Sequence, residues 1–149
     1  MCYFRCKPFS ELNVDELYEI MALRQEVFVV EQDCPYLDAD GKDQHAWHLM
    51  GFDKNDTLIA YARIVPPGIS YENYVSIGRI VSSPSVRGKG TGKKLMEASL
   101  DAVKKLFNNQ PIKISAQCYL IRFYESFGFK TTGTEYLEDN IPHIAMIRE

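Results

Sequence analysis

Apolar and polar residues alternate from Cys2 to Pro8, with Cys2, Phe4 and Cys6 on one face and Tyr3, Arg5 and Lys7 on the other, which predicts a half-buried opening strand. The period then changes. Leu17, Ile20, Met21, Leu23, Val27 and Phe28 recur at helical spacing, and Asn13 with Glu16 three residues later has the form of a capping box at the start of that helix. From Glu31 to Gln44 periodicity is lost, and Pro35 and Gly41 among Glu31, Asp33, Asp38, Asp40 and Asp43 predict a loop. Ala46–Phe52 and Thr57–Val65 are strand-like runs joined by the polar turn Asp53–Asp56, a hairpin that Pro66-Pro67-Gly68 ends. Tyr74–Ser82 predicts another strand, in which Gly78 marks a bulge or a close backbone approach. Leu95, Met96, Leu100, Val103 and Phe107 give the stripe of a second helix, stopped by Asn108, Asn109 and Pro111. A short buried strand at Ile112–Gln117, a helix from Tyr119 to Phe127 closed by Gly128, and strands near Phe129–Tyr136 and His143–Ile147 around the turn Glu138-Asp139-Asn140 complete the chain. The order predicts an α/β domain: one mixed, mostly antiparallel central sheet flanked by helices.

At 149 residues, positions 1–149 are expected to form a single domain with one core. No apolar run reaches about 18 residues and no basic start leads into an apolar stretch, so neither a membrane span nor a secretory signal is expected, and the cytoplasm is the expected location. Cys2, Cys6, Cys34 and Cys118 show no CxxC spacing, which argues for free thiols rather than a zinc site. A calcium loop with Gly41 at its sixth position would put Tyr36 and Trp47 where oxygen ligands belong, and His45 and His48 have no third ligand nearby, so no metal is expected. The net charge of −3 argues against a nucleic-acid partner and favours a cationic one.

The candidate chemistry begins at Val86-Arg87-Gly88-Lys89-Gly90-Thr91-Gly92-Lys93, between a predicted strand and a predicted helix. Glycines at every second position let backbone N–H groups approach an anion, the helix adds its positive N-terminus, and Arg87, Lys89, Thr91 and Lys93 surround the same turn. A pyrophosphate suits this cradle. It is not a P-loop, because Arg87 stands where the first glycine belongs and Lys94 where Ser or Thr would hold magnesium; nor a dinucleotide fingerprint, because Lys93 occupies the third glycine position. A glycine-rich helix start without a ligand is the plain alternative.

The spacing Arg87, Gly90, Gly92 resembles the acetyl-CoA-binding signature of the GNAT superfamily of N-acetyltransferases. A second stretch, Arg122-Phe123-Tyr124-Glu125-Ser126-Phe127-Gly128-Phe129, resembles the family's Phe-Tyr-Glu turn ending in Gly-Phe. Leu23-Arg24, Val27 to Gln32, Asp38-Ala39-Asp40-Gly41, His48-Leu49 and Tyr136 to His143 are similar to the ElaA-type branch, so the likeness covers nearly the whole chain. It implies a GNAT-like fold and acetyl-CoA as cosubstrate. It further implies that Ile80 and Val81 offer backbone groups to the pantetheine and acetyl carbonyl, that Arg87, Gly88, Lys89, Gly90, Thr91, Gly92 and Lys93 hold the pyrophosphate, and that Tyr124 faces the thioester sulfur. Gln117 stands where many members carry an asparagine that bonds the pantetheine arm.

Chemistry makes matching demands. An alkylammonium with a pKa of ~10.4 must lose a proton before it attacks, and a departing thiolate with a pKa of ~8.5 can take one from a phenol such as Tyr124. Glu31, Glu138, His143 or a water chain could serve as base, and an amine pocket is expected between Glu31–Asp43 and Glu138–His143. Cys118 has no histidine paired with it in sequence and reads as a core thiol. The expected activity is acetyl transfer to a small-molecule or peptide primary amine by direct attack on the thioester, with no metal, nucleic acid or membrane involved. The alternatives are a non-catalytic CoA-binding regulatory module and a phosphate-binding protein.

Overall fold

The computed structural model describes residues 2–149. Strand β1 (Tyr3–Pro8) pairs antiparallel with β2 (Trp47–Phe52), from Tyr3 opposite Phe52 to Pro8 opposite Trp47. β2 forms the predicted hairpin with β3 (Leu58–Val65), and β3 pairs antiparallel with β4 (Ser76–Ser82). All eight residues of β3 are buried, because the sheet is covered on both faces. Helix α1 (Val14–Arg24) packs Ile20 and Leu23 against Met50, Phe52 and Tyr61 on one face. On the other, α2 (Thr91–Phe107) packs Leu95, Met96 and Val103 against Leu49, Ala60, Ala62 and Ile64. The predicted capping box is present: Glu16 N–H donates to Asn13 Oδ1 at 2.8 Å and Asn13 N–H to Glu16 Oε1 at 2.9 Å.

The remaining strands, β5 (Ile112–Gln117), β6 (Lys130–Glu138) and β7 (Ile141–Arg148), form a second antiparallel sheet with β7 in the middle. The expected single sheet is therefore divided. β4 and β5 meet only through a parallel bridge between Val75 and Ile112, and beyond it they pair no further. A bulge contributes: Arg63 lies opposite Gly78 and Tyr61 opposite Val81, so β4 carries an extra residue and bends. The residue with positive φ is Arg79, at 50°, and not the glycine before it.

Three boundaries differ from the sequence pattern. α1 ends at Arg24 and continues as a π-helical stretch, Gln25–Glu31, in which Gln32 N–H reaches back to Val27 O and Cys34 N–H to Val29 O. The third helix, α3 (Ile121–Glu125), is short, preceded by a 3₁₀ turn at Cys118–Leu120 and closed through Gly128 at φ 92°. β6 runs on to Glu138 because Asp139 and Asn140, at φ 53° and 62°, make a tight two-residue hairpin turn. Among the described residues no helix is long and apolar enough to cross a membrane.

Candidate active site

Where β4 and β5 part they leave a cleft of about 790 Å³, with Gly78 to Ser82 on one wall and Ile114, Ser115 and Gln117 on the other. The segments that feed it come from every part of the chain. The end of the π-helical stretch brings Glu31, the following loop Tyr36 and Lys42, the cradle Arg87, α3 Tyr124, and the β6–β7 hairpin Glu138 and His143.

The cradle is built from backbone. A 3₁₀ turn at Pro84–Val86 leads to Gly88 and Gly90, at φ 79° and 77°, where a Cβ would be strained and would project into open space. Gly90 is the N-cap of α2 and no side chain caps it; Lys94 N–H takes Gly90 O at 3.2 Å, so the N–H groups of Thr91, Gly92 and Lys93 are left for a ligand. Two left-handed glycines before an uncapped helix start fit an anionic group such as the pyrophosphate of CoA. The side chains divide. Arg87 lines the cleft, whereas Lys89 and Thr91 line a separate recess of about 330 Å³ beside Asp53, Lys54 and Asn55, and Lys93 is exposed.

Arg87 is also already engaged. Its guanidinium donates to both oxygens of Glu31 at 2.6 Å, and that ion pair holds the Glu31 carboxyl below the usual carboxylate range. Sequence alone groups Glu31 with the acceptor; its geometry ties it to the cradle.

The acidic loop is pinned by three arginines. Arg24, fully buried in α1, meets Asp38 Oδ2 and Asp43 Oδ1 at 2.8 Å each. Arg63 holds Asp40 through both oxygens at 2.7 and 2.8 Å and Asp43 at 3.0 Å, while Arg79 reaches Asp38 Oδ1 at 2.7 Å from the bulge. Burial would raise the Asp40 and Asp43 carboxyls, but the guanidiniums outweigh it and hold both below their ordinary value. The loop carboxylates expected to face an amine are thus turned toward arginines. His48 adds an anchor: its Nε2–H donates to Asp43 O at 2.9 Å and its Nδ1 accepts from Tyr61 Oη at 2.6 Å. Sequence reasoning missed this network, although cations inside apolar runs (Arg24 in α1, Arg63 in Leu58–Val65, Arg79 in Ser76–Ser82) facing an aspartate-rich loop were a readable signal.

Tyr124 is 6% exposed, lines the cleft, and among the described residues its hydroxyl makes no hydrogen bond. Burial, with a smaller contribution from Tyr119, pushes the phenol above its ordinary value, so it keeps its proton. His143 stands opposite Gln117 on β5 and Tyr136 on β6, and stacks on the Tyr136 ring. Its Nδ1–H donates to Ile141 O at 2.6 Å, which leaves Nε2 as the free lone pair of the neutral ring, 3.7 Å from Glu138 Oε2. Cys34 Sγ lies 3.3 Å from Asp139 O, joining the acidic loop to this hairpin, so the two segments expected to flank an amine pocket do face one cleft. Cys118 is half-buried, packed against the main core cluster and beside Glu135, and its thiol is pushed up by desolvation and that carboxylate, the reverse of an activated nucleophile.

A cleft between splayed β4 and β5, a bulged β4 and a glycine cradle opening α2 coincide with a match of residues 14–149 to the family described as "Acetyltransferase (GNAT) domain". The chain belongs to the GNAT acetyltransferase family. The protein ElaA of Escherichia coli K12 is 45% identical over 142 residues, covering 94% of this chain and 92% of ElaA. Two crystal structures align along the full length of both chains: an acyl-CoA N-acyltransferase from Pseudomonas aeruginosa with TM-score 0.94 and 43% identity, and E. coli ElaA with TM-score 0.92 and 42% identity.

Proposed function

We propose that residues 1–149 form one acetyl-CoA-dependent N-acetyltransferase domain that acetylates a primary amine by direct attack on the thioester. The observation that carries the reading is the convergence of Tyr124, His143 and the unpaired edge of β4 on one cleft beside the glycine cradle. Acetyl-CoA supplies the activated acyl group. Gly88, Gly90 and the first N–H groups of α2 would hold its pyrophosphate, with Arg87 joining once it leaves Glu31; Ile80 and Val81 on the bulged strand, and Gln117 opposite, are the backbone and side-chain partners for the arm. Tyr124 keeps its proton in the resting site and donates it toward the leaving sulfur. His143 Nε2 takes the proton from the ammonium, and Glu138 stabilises the imidazolium that results.

The test is release of CoA thiol from acetyl-CoA over a panel of amines, with acetylated product identified by mass. Turnover with at least one primary amine is expected. Tight acetyl-CoA binding with no turnover on any amine would make the protein a CoA-binding module instead.

A further inference from the structure

We infer that the acceptor is a zwitterion, a small molecule carrying a carboxylate as well as the amine that is acetylated; this deepens the acetyltransferase reading and rests on it. The charges that line the cleft are unevenly matched. Of the cations that line it, Arg87 is paired with Glu31, Arg63 with Asp40 and Asp43, and Arg79 with Asp38 and Asp40. Lys42 is the exception: among the described residues it has no carboxylate within 4.0 Å, and its Nζ donates only to Ser70 Oγ at 3.1 Å. An ammonium on the cleft wall with no carboxylate of its own, beside the Ser70 hydroxyl, makes an anionic oxygen the natural guest on this wall.

The hairpin wall has the opposite excess. Glu138 has no arginine or lysine partner, only His143 at 3.7 Å and the Ser115 hydroxyl at 3.3 Å, and Asp139 beside it is unpaired among the described residues. The two walls face one cleft: Lys42, Ser70 and Tyr71 line it together with Glu138 and His143. A ligand satisfying both walls presents its amine to Glu138 and His143 and its carboxylate to Lys42 and Ser70. A simple alkylamine leaves Lys42 without a counter-charge.

The experiment compares ω-amino acids from glycine to 6-aminohexanoate with the matching carboxamides, as kcat/KM for CoA release referred to the free-base amine. Acids should exceed carboxamides by about tenfold or more at the preferred length, the size expected when a carboxylate meets charged donors. Lys42→Met should collapse that ratio toward one through KM, and Lys42→Arg should keep it. Carboxamides acetylated as well as acids would overturn the zwitterion while leaving the acetyltransferase intact; turnover with no acceptor at all would take both readings down. Should Lys42→Met fail to fold, the wild-type enzyme decides: n-butyrate should inhibit competitively against the acceptor, and no inhibition refutes the inference.

Discussion

The cradle and the acidic loop solve the problem of holding charge in opposite ways. The cradle is a contiguous turn of backbone, exposed, left-handed at Gly88 and Gly90, with its donors unspent. The loop from Asp38 to Asp43 is held by arginine side chains drawn from α1, β3 and β4, with Asp38 and Asp43 buried and most of its charges matched inside the protein. The first is ready for a ligand; the second is scaffolding that leaves one wall of the cleft an unmatched lysine. A dense set of charges near a cleft is therefore no guide to what it binds until the internal pairs are subtracted.

The sharpest way to break this contrast is Arg24→Met. It leaves Asp43 with Arg63 alone and Asp38 with Arg79 alone in a buried setting, and should destabilise the fold by about 3 kcal/mol in urea denaturation, the lower end for removing one partner of a buried pair. CoA affinity of the protein that remains folded should change less than about twofold; a loss in step with stability would make the two regions one cooperative unit. The same network sets an acid limit. Because the Asp40 and Asp43 carboxyls are depressed in the folded state, their stabilisation is complete above the unfolded value of ~3.9 and fades as pH falls below it toward the folded values. Wild-type melting temperature should drop steeply below about pH 4, and Arg24→Met should flatten that drop.

Tyr124→Phe removes only a hydroxyl. Turnover should fall by about 10²-fold with acetyl-CoA affinity nearly unchanged, as for loss of a general acid. Equal losses in both would assign the phenol to cosubstrate positioning. On the cradle, Gly90→Val forces a β-branched residue into positive φ at a cost of about 1–2 kcal/mol and sets methyl groups where an anion would approach, so calorimetry should show CoA binding at least about tenfold weaker in a folded protein. Unchanged affinity would remove the cradle from the binding site. The smallest effect expected is the most discriminating. Glu31→Gln should tighten CoA about two- to fivefold by releasing Arg87 from an exposed pair, and the gain should shrink at high salt; weaker amine binding with unaltered CoA affinity would return Glu31 to the acceptor side.

What could be read from residue order follows the same division. The capping box at Asn13, the β2–β3 hairpin, the second helix and the cradle are local, each specified by neighbours within a few positions, and all appear where the pattern puts them. The division of the sheet was not legible, because it depends on how β4 bends at Arg79 and on a single bridge between Val75 and Ile112. The arginine–aspartate network was legible only as cations set in apolar runs; which aspartate meets which arginine was not, because the partners lie 14 to 41 residues apart in sequence. Lys42 gave no signal as a residue type; its interest comes only from the pairs its neighbours make and it does not.

The arrangement of the second sheet also orders events in time. β7, made last of the seven strands, is the centre of that sheet, so β6 has no partner, and β5 only the bridge from Ile112 to Val75, until residues 141–148 are available. The first four strands and α1 can assemble from the nascent chain before then, β2–β3 and β3–β4 by neighbouring-strand pairing and β1 by pairing with β2 across α1. The wall bearing Gln117 and His143 cannot. During synthesis the exposed edge of β4 waits for its opposite wall, which makes this interval the point at which the growing chain is most open to pairing with another copy.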